Sequence, residues 1–168
     1  MKTDQNEIQK LVSMIKDIKF AMLTTVSEEG TIHSRPMATL KIDDFDGNLW
    51  FFSRKNSLKN HNIAADQHVN LSYVNPDKHH YASLCGQATI SDDSAKMKKF
   101  WNPSLKEWFP EGLNDPELSL LGIKVQSAEL WDSSHTHNRI SQIAGFVRGT
   151  LTGKPMNQEV HGQHIDLH

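Results

Sequence analysis

The sequence predicts a mainly β protein with flanking helices, its antiparallel strands wrapped into a closed or nearly closed barrel. Three observations predict this. Short runs with strand character outnumber helical ones, several successive runs are joined by hairpin-length links, and the strand–helix alternation of a parallel sheet is missing. A chain of 168 residues suits one domain with one core. That domain is placed at residues 1–153, with a polar, His-rich, loosely held tail at 154–168.

Ile8, Leu11, Val12, Ile15 and Ile18 recur at helical spacing, so residues 5–18 form an amphipathic helix laid on the sheet. Residues 20–26 read as a strand, Ser27-Glu28-Glu29-Gly30 as a turn, and residues 31–40 as the returning strand. A polar turn at 43–48 leads to an aromatic strand at 49–53. The Ser57 hydroxyl is placed to cap a short helix reaching Ala65. Strands at 69–73 and 81–90 follow, joined by Asn75-Pro76-Asp77-Lys78. Ser91 or Asp92 caps a helix running to Trp101, which Asn102-Pro103 ends. A loop rich in Pro and Gly leads to two strands at 118–125 and 128–132, and apolar spacing from Ile140 to Leu151 marks a last helix. Trp50, Phe51, Phe20 and Phe100 are assigned to the core, as is the lone Cys85.

Composition narrows the function. With 18 Lys+Arg against 20 Asp+Glu, the chain has no general electrostatic attraction for nucleic acid or anionic lipid, so any bound anion needs a local cluster. The start lacks an apolar signal core, and no stretch approaches the roughly 18–20 apolar residues of a membrane helix, so a soluble cytoplasmic protein is expected. The single cysteine excludes an internal disulfide. His79-His80, His135-x-His137 and His161-x-x-His164 lack zinc-ligand spacing, and no metal site is expected. Glycine-rich dinucleotide or Walker loops do not occur.

The chemistry concentrates in His33-Ser34-Arg35-Pro36-Met37-Ala38 and in Phe51-Phe52-Ser53-Arg54-Lys55-Asn56-Ser57-Leu58-Lys59. In a strand, His33, Arg35 and Met37 share one face. Pro36 cannot donate to a ladder and marks a sheet edge or an interruption. The aromatic strand ends at Ser53, and a helix starts near Ser57 with Lys59 in its first turn. A hydroxyl, helix-start amides, a guanidinium and an ammonium together suit a phosphate, although Arg and Lys at such ends are also ordinary solvated surface.

Arg35-Pro36-Met37, Phe52-Ser53 with Ser57-x-Lys59, Tyr81 to Gly86, Trp108-Phe109-Pro110-x-Gly112 with Asp115-Pro116, and Leu130-Trp131-Asp132 follow one another in an order that resembles the general stress protein group of the pyridoxamine 5′-phosphate oxidase-like superfamily. The resemblance covers about residues 5–153. It implies an FMN-binding split β-barrel working as a homodimer, with the cofactor in clefts built from both subunits. Arg35, Ser53, Ser57 and Lys59 would then hold the FMN phosphate and ribityl chain. Backbone groups of Pro36, Met37 and Ala38 would face the flavin ring, and Phe52 and Leu58 would also be among the cofactor-binding residues. Tyr81 or Ser83 would approach the polar edge of the ring, with Trp108 and Trp131 as aromatic walls from either subunit. The Arg-x-His pair by which true pyridoxamine phosphate oxidases bind substrate has no counterpart here, so their own reaction is not implied. The aromatic strands would leave an open face, and a two-fold dimer burying well over roughly 2,000 Å² is expected. The function implied is a flavin-dependent oxidoreductase acting on a small molecule. A flavin or phosphate-cofactor carrier without turnover, or a haem-binding barrel, are the alternatives.

Overall fold

The computed structural model describes residues 5–132 and 163–166. The helix expected at 140–151 and the domain boundary at 153 lie outside the described residues. The elements run α1 (Gln5–Ile18), β1 (Phe20–Val26), β2 (Ile32–Ala38), β3 (Asn48–Arg54), α2 (Leu58–Ala65), β4 (His68–Asn75), β5 (His80–Ser91), α3 (Ser94–Phe100), two 3₁₀ turns (Pro103–Glu107 and Gly112–Asn114), β6 (Leu118–Asp132) and β7 (Gln163–Asp166). No helix among the described residues is long and apolar enough to cross a membrane.

The described strands form one antiparallel sheet in the order β2-β1-β4-β5-β6-β3, with β7 paired to β6. The sheet curls into a half-barrel because β6 is long enough to serve two neighbours. Its first half pairs with β3 and nearly its whole length with β5. Alternate residues Leu23, Phe51, Leu71, Tyr73 and Leu84 fill the concave side. Leu11, Met14 and Ile15 of α1 join that same core.

The two strands expected at 118–125 and 128–132 are one strand. Val125 pairs with Gly86 and Ser127 with Cys85, leaving Gln126 as the extra residue of a β-bulge. The bulge shifts the apolar alternation by one residue, which in sequence imitates a break. Backbones approach closely there, since a Cβ on Gly86 would collide with the Lys124 carbonyl oxygen. Glycine is needed again at Gly122, where a Cβ would lie 2.5 Å from the Trp50 ring. Trp50 can therefore lie across β6.

Other expectations change with the packing. β5 runs on to Ser91, so the α3 cap is neither Ser91 nor Asp92 but Asp93, whose carboxylate accepts from the Ala95 and Lys96 amides at 3.0 and 3.1 Å. Phe51 is buried as expected, but Phe20 is 61% exposed and Cys85 is also exposed, both on the convex side. The outer face of the aromatic strand β3 is not open: Trp50 stacks on Phe100 at 6.2 Å, and Phe52 packs against Trp101 and Phe109. Open apolar surface lies instead at Phe20, Met22, Val74 and Tyr81. The tail is not loose throughout, because Gln163–Asp166 pairs with Leu130 to Ser127 of β6 and Ile165 enters the core.

Candidate functional site

β2 and β3 are the two ends of the strand path, and the site lies between them. A backbone bond from Leu40 N–H to Trp50 O ties the chain after β2 to β3, while Thr39 N–H donates to Lys19 O on the β1 side. Antiparallel alternation then turns the odd residues of β2 to β1 and the backbone groups of Ser34, Pro36 and Ala38 to the free edge. Pro36 thus occupies a position where no ladder donor is required, as its chemistry demands. Of the three residues expected to offer backbone to a ring, Pro36 and Ala38 face the edge. Met37 is committed to β1, and its side chain is in the core.

Arg35 points to the concave side. Its Nη1 donates to the buried Thr25 hydroxyl at 2.8 Å and to Leu23 O at 3.2 Å. Asn62, buried on α2, donates to the same Thr25 oxygen at 3.1 Å. One threonine therefore joins the cation on β2 to the helix that carries Lys59.

Ser57 occupies the N-cap position of α2 with extended backbone, yet its hydroxyl accepts no first-turn amide. It accepts instead from Lys59 Nζ at 3.2 Å and lies 3.5 Å from Ser53 Oγ. Ser53 is only 2% exposed and donates to Asn60 Oδ1 at 2.8 Å. The Asn60 amide donates in turn to Arg54 O and Ser119 Oγ, which pins the turn between β3 and α2. Ser53 thus backs the cluster from within, while Ser57 and Lys59 form its surface.

The electrostatics are lopsided. Burial lowers the affinity of Lys59 for its proton, and the nearby Arg35 and Arg54 charges lower it further. Burial also works against charge on Arg35. Among the described residues, no carboxylate lies within ion-pair distance of any of the three. Converging cations, two of them partly desolvated, with no counter-charge among the described residues and beside a helix N-terminus, are arranged to take an anion. A groove of about 700 Å³ opens beside them, bordered by Ser57, Leu58, His61, Ile90 and the Lys55–Asp92 ion pair.

The single chain therefore gathers Arg35, Ser53, Ser57 and Lys59, and it leaves the others apart. Phe52 packs on Trp101 and Phe109, and Leu58 is exposed beside the groove. Tyr81 pairs with Trp131, and Ser83 accepts from Asn70, all on the convex side of β5 and β6. β5 lies three strands from β2, about 14 Å at the usual ~4.8 Å spacing, and on the opposite face from Arg35. Trp108 follows the first 3₁₀ turn and is 62% exposed. Its carbonyl accepts from Arg54 Nη2 at 2.8 Å.

Sequence reasoning missed Thr25, Asn60, Asn62 and Arg54. The signal for the asparagines was present, since Asn60 and Asn62 stand in a short helix that Asn disfavours, as residues held by side-chain bonds often do. Among the described residues no group of three or more His, Cys, Asp or Glu could hold a metal ion.

The chain is 32% identical over 158 residues to Protein bli-3 of Neurospora crassa, covering 89% of this chain and 75% of that protein. The crystal structure of the general stress FMN/FAD binding protein of Xanthomonas citri superposes with a TM-score of 0.67 at 28% identity, over 76% of this chain and 90% of that one. General Stress Protein 26 of Bacillus anthracis superposes with a TM-score of 0.66 at 25% identity, over 75% of this chain and 94% of that one. Residues 6–157 match the family described as Pyridoxamine 5'-phosphate oxidase like, and the chain belongs to that family.

Proposed function

We propose that this protein binds FMN as a homodimer and acts as a flavin-dependent oxidoreductase on a small molecule. The observation that carries the reading is the convergence of Arg35 and Lys59, partly buried and with no carboxylate paired to them among the described residues, at the start of α2. A phosphate monoester carries nearly two negative charges and several acceptor oxygens, which match that deficit. The Xanthomonas citri relative, described as FMN/FAD binding, supports a flavin as its bearer.

In this reading Arg35 and Lys59 hold the phosphate, Ser57 adds a hydroxyl, and the Thr25–Asn62 pair fixes the guanidinium in advance. The free edge at Pro36 and Ala38 offers backbone groups to the ring. Bound FMN supplies hydride and electron transfer, and the chain supplies orientation and shelter from water. Tyr81, Ser83 and Trp131 reach such a ring only from a second copy. The convex face offers the means, with Phe20, Met22, Val74 and Tyr81 open to water on adjoining strands.

The test is an absorption spectrum of the untagged protein with and without FMN, followed by addition of NAD(P)H. A bound yellow chromophore bleached faster than free FMN supports the whole reading. Binding without faster reduction leaves a carrier, and a Soret band in place of the flavin spectrum overturns the cofactor.

A further inference from the structure

We propose that Arg54 is a positioning residue that fixes Trp108 as the ring-side wall of the cleft, acting on the flavin through the 103–114 segment and not through the phosphate. The proposal rests on the flavin reading above. Arg54 ends β3, directly after Ser53, and its backbone is held by the Asn60 amide at 3.0 Å. Lys55 N–H donates to Glu117 O and Asn56 to the Glu117 carboxylate, so the turn from which Arg54 projects is fastened on both sides.

The guanidinium makes two contacts to one short segment. Nη2 donates to Trp108 O at 2.8 Å, and the guanidinium carbon stands 5.7 Å from the centre of the Phe109 ring. A planar cation meets both demands at once, an in-plane donor for the carbonyl and a face for the ring, which an ammonium cannot do. The segment has internal bonds, Phe109 N–H to Leu105 O and Gly112 N–H to Phe109 O, and Phe109 is buried. The indole of Trp108 itself is exposed. Phe109 thus anchors the segment, and Arg54 sets the direction of the preceding carbonyl, that of Trp108, from which the exposed indole extends. Arg35 and Lys59, by contrast, make no such link to the segment among the described contacts.

The two ways in which Arg54 could serve a flavin separate experimentally. As a third phosphate cation it would matter to FMN and leave riboflavin untouched. As the holder of Trp108 it matters to both, because both share the ring. The experiment has two arms on the full-length protein. Amide hydrogen exchange of ligand-free wild type, Arg54→Ala and Arg54→Lys reads the 103–114 segment. Exchange at Phe109 and Gly112 is expected to rise at least about fivefold in Arg54→Ala and nearly as much in Arg54→Lys, with β4 and β5 unchanged. Riboflavin titration of Arg54→Ala, Trp108→Ala and the double variant is expected to show a loss of about 5- to 20-fold in each single variant and no further loss in the double. Unchanged exchange in the segment overturns the proposal, as does additivity in the cycle or an Arg54→Ala effect confined to FMN. Failure of the flavin reading would look different. Wild type would bind neither flavin, and the exchange arm would still decide whether Arg54 holds the segment.

Discussion

Arg35 reaches diagonally past its register partner Leu23 and donates to the hydroxyl of Thr25, one strand away and two residues further on, at 2.8 Å. The cation is therefore aimed before any anion arrives, and little side-chain entropy remains to be lost on binding. Arg35→Ala or Lys59→Ala is expected to weaken FMN binding by about 10- to 150-fold, the range of a lost charge-assisted bond of ~1.5–3 kcal/mol. Riboflavin affinity should stay nearly constant in both. Flavin-fluorescence titration at fixed salt reads the contrast, and equal loss for the two ligands would mean that the barrel itself had been damaged.

Thr25→Val separates aim from charge. The valine keeps the shape but removes the acceptor shared by Arg35 and Asn62, leaving the buried Asn62 amide without that partner. A stability loss of about 1–3 kcal/mol is expected in urea unfolding, with FMN affinity falling several-fold although both cations remain. Unchanged FMN affinity in a folded Thr25→Val protein would show that the clamp does not matter to the site.

The strain on Lys59 gives a prediction with two signs. Burial, then Arg35 and Arg54, lower its folded pKa below 10.5. Between that lowered value and 10.5 the unfolded chain holds more protons at this position, so Lys59 makes stability rise with pH in that window and costs stability below it. Lys59→Met, which keeps the apolar stem, should therefore raise the melting temperature at pH 7. The same change should weaken FMN binding by about as much as Lys59→Ala. A bound phosphate raises the Lys59 pKa again, so FMN affinity should fall as pH rises through the alkaline side, while riboflavin affinity stays flat. Calorimetric melting and titrations from pH 7 to 10 check both signs.

The convex face predicts assembly. Val74 pairs with Tyr81, and Phe20 lies two steps along the β1–β4 register from the Met22–Ser72 pair, so the exposed apolar side chains form one band across three strands. Phe20→Glu with Val74→Glu should convert a dimer to a monomer by light scattering at micromolar concentration and lower flavin affinity at least tenfold, because the partner's ring contacts leave with it. A wild-type monomer would end the two-subunit cleft.

The positions of the strands along the chain and the grouping of Arg35, Ser57 and Lys59 as candidates could be read in the sequence because both rest on local signals. Apolar alternation reports a strand over five to eight residues, and Arg35, Ser57 and Lys59 announce themselves through Pro36 and a helix start. What escaped depends on contacts between distant residues. Gln126 looked like a break because a bulge shifts the alternation without ending the strand. Phe20 and Cys85 went to the core by residue type, although their phase against Ala21 and Leu84 places them outside. Thr25 and Asn62 meet across 37 positions, and nothing in either segment alone names the other. The β3 face was expected to be open because the helix that covers Trp50 is known only from packing.

The last four described residues are held in the fold and are not a loose tail. Gln163–Asp166 adds to β6 opposite Leu130 to Ser127, the half of β6 that β3 leaves unpaired. Ile165 is 1% exposed and belongs to the same core cluster as Leu84, Ala128 and Leu130. Removing residues 163–168 would leave a cavity at Ile165 and a bare strand edge next to Trp131. Losing a buried isoleucine typically costs ~2–5 kcal/mol, which at ~2–4 °C per kcal/mol is a fall of roughly 4–20 °C in melting temperature. Ile165→Ala should reproduce most of that fall while keeping the strand, and the truncated chain should also aggregate where Ile165→Ala does not. Melting curves and light scattering on the two variants distinguish the core contribution from the edge contribution. A truncation with unchanged melting would return these residues to the status of a tail.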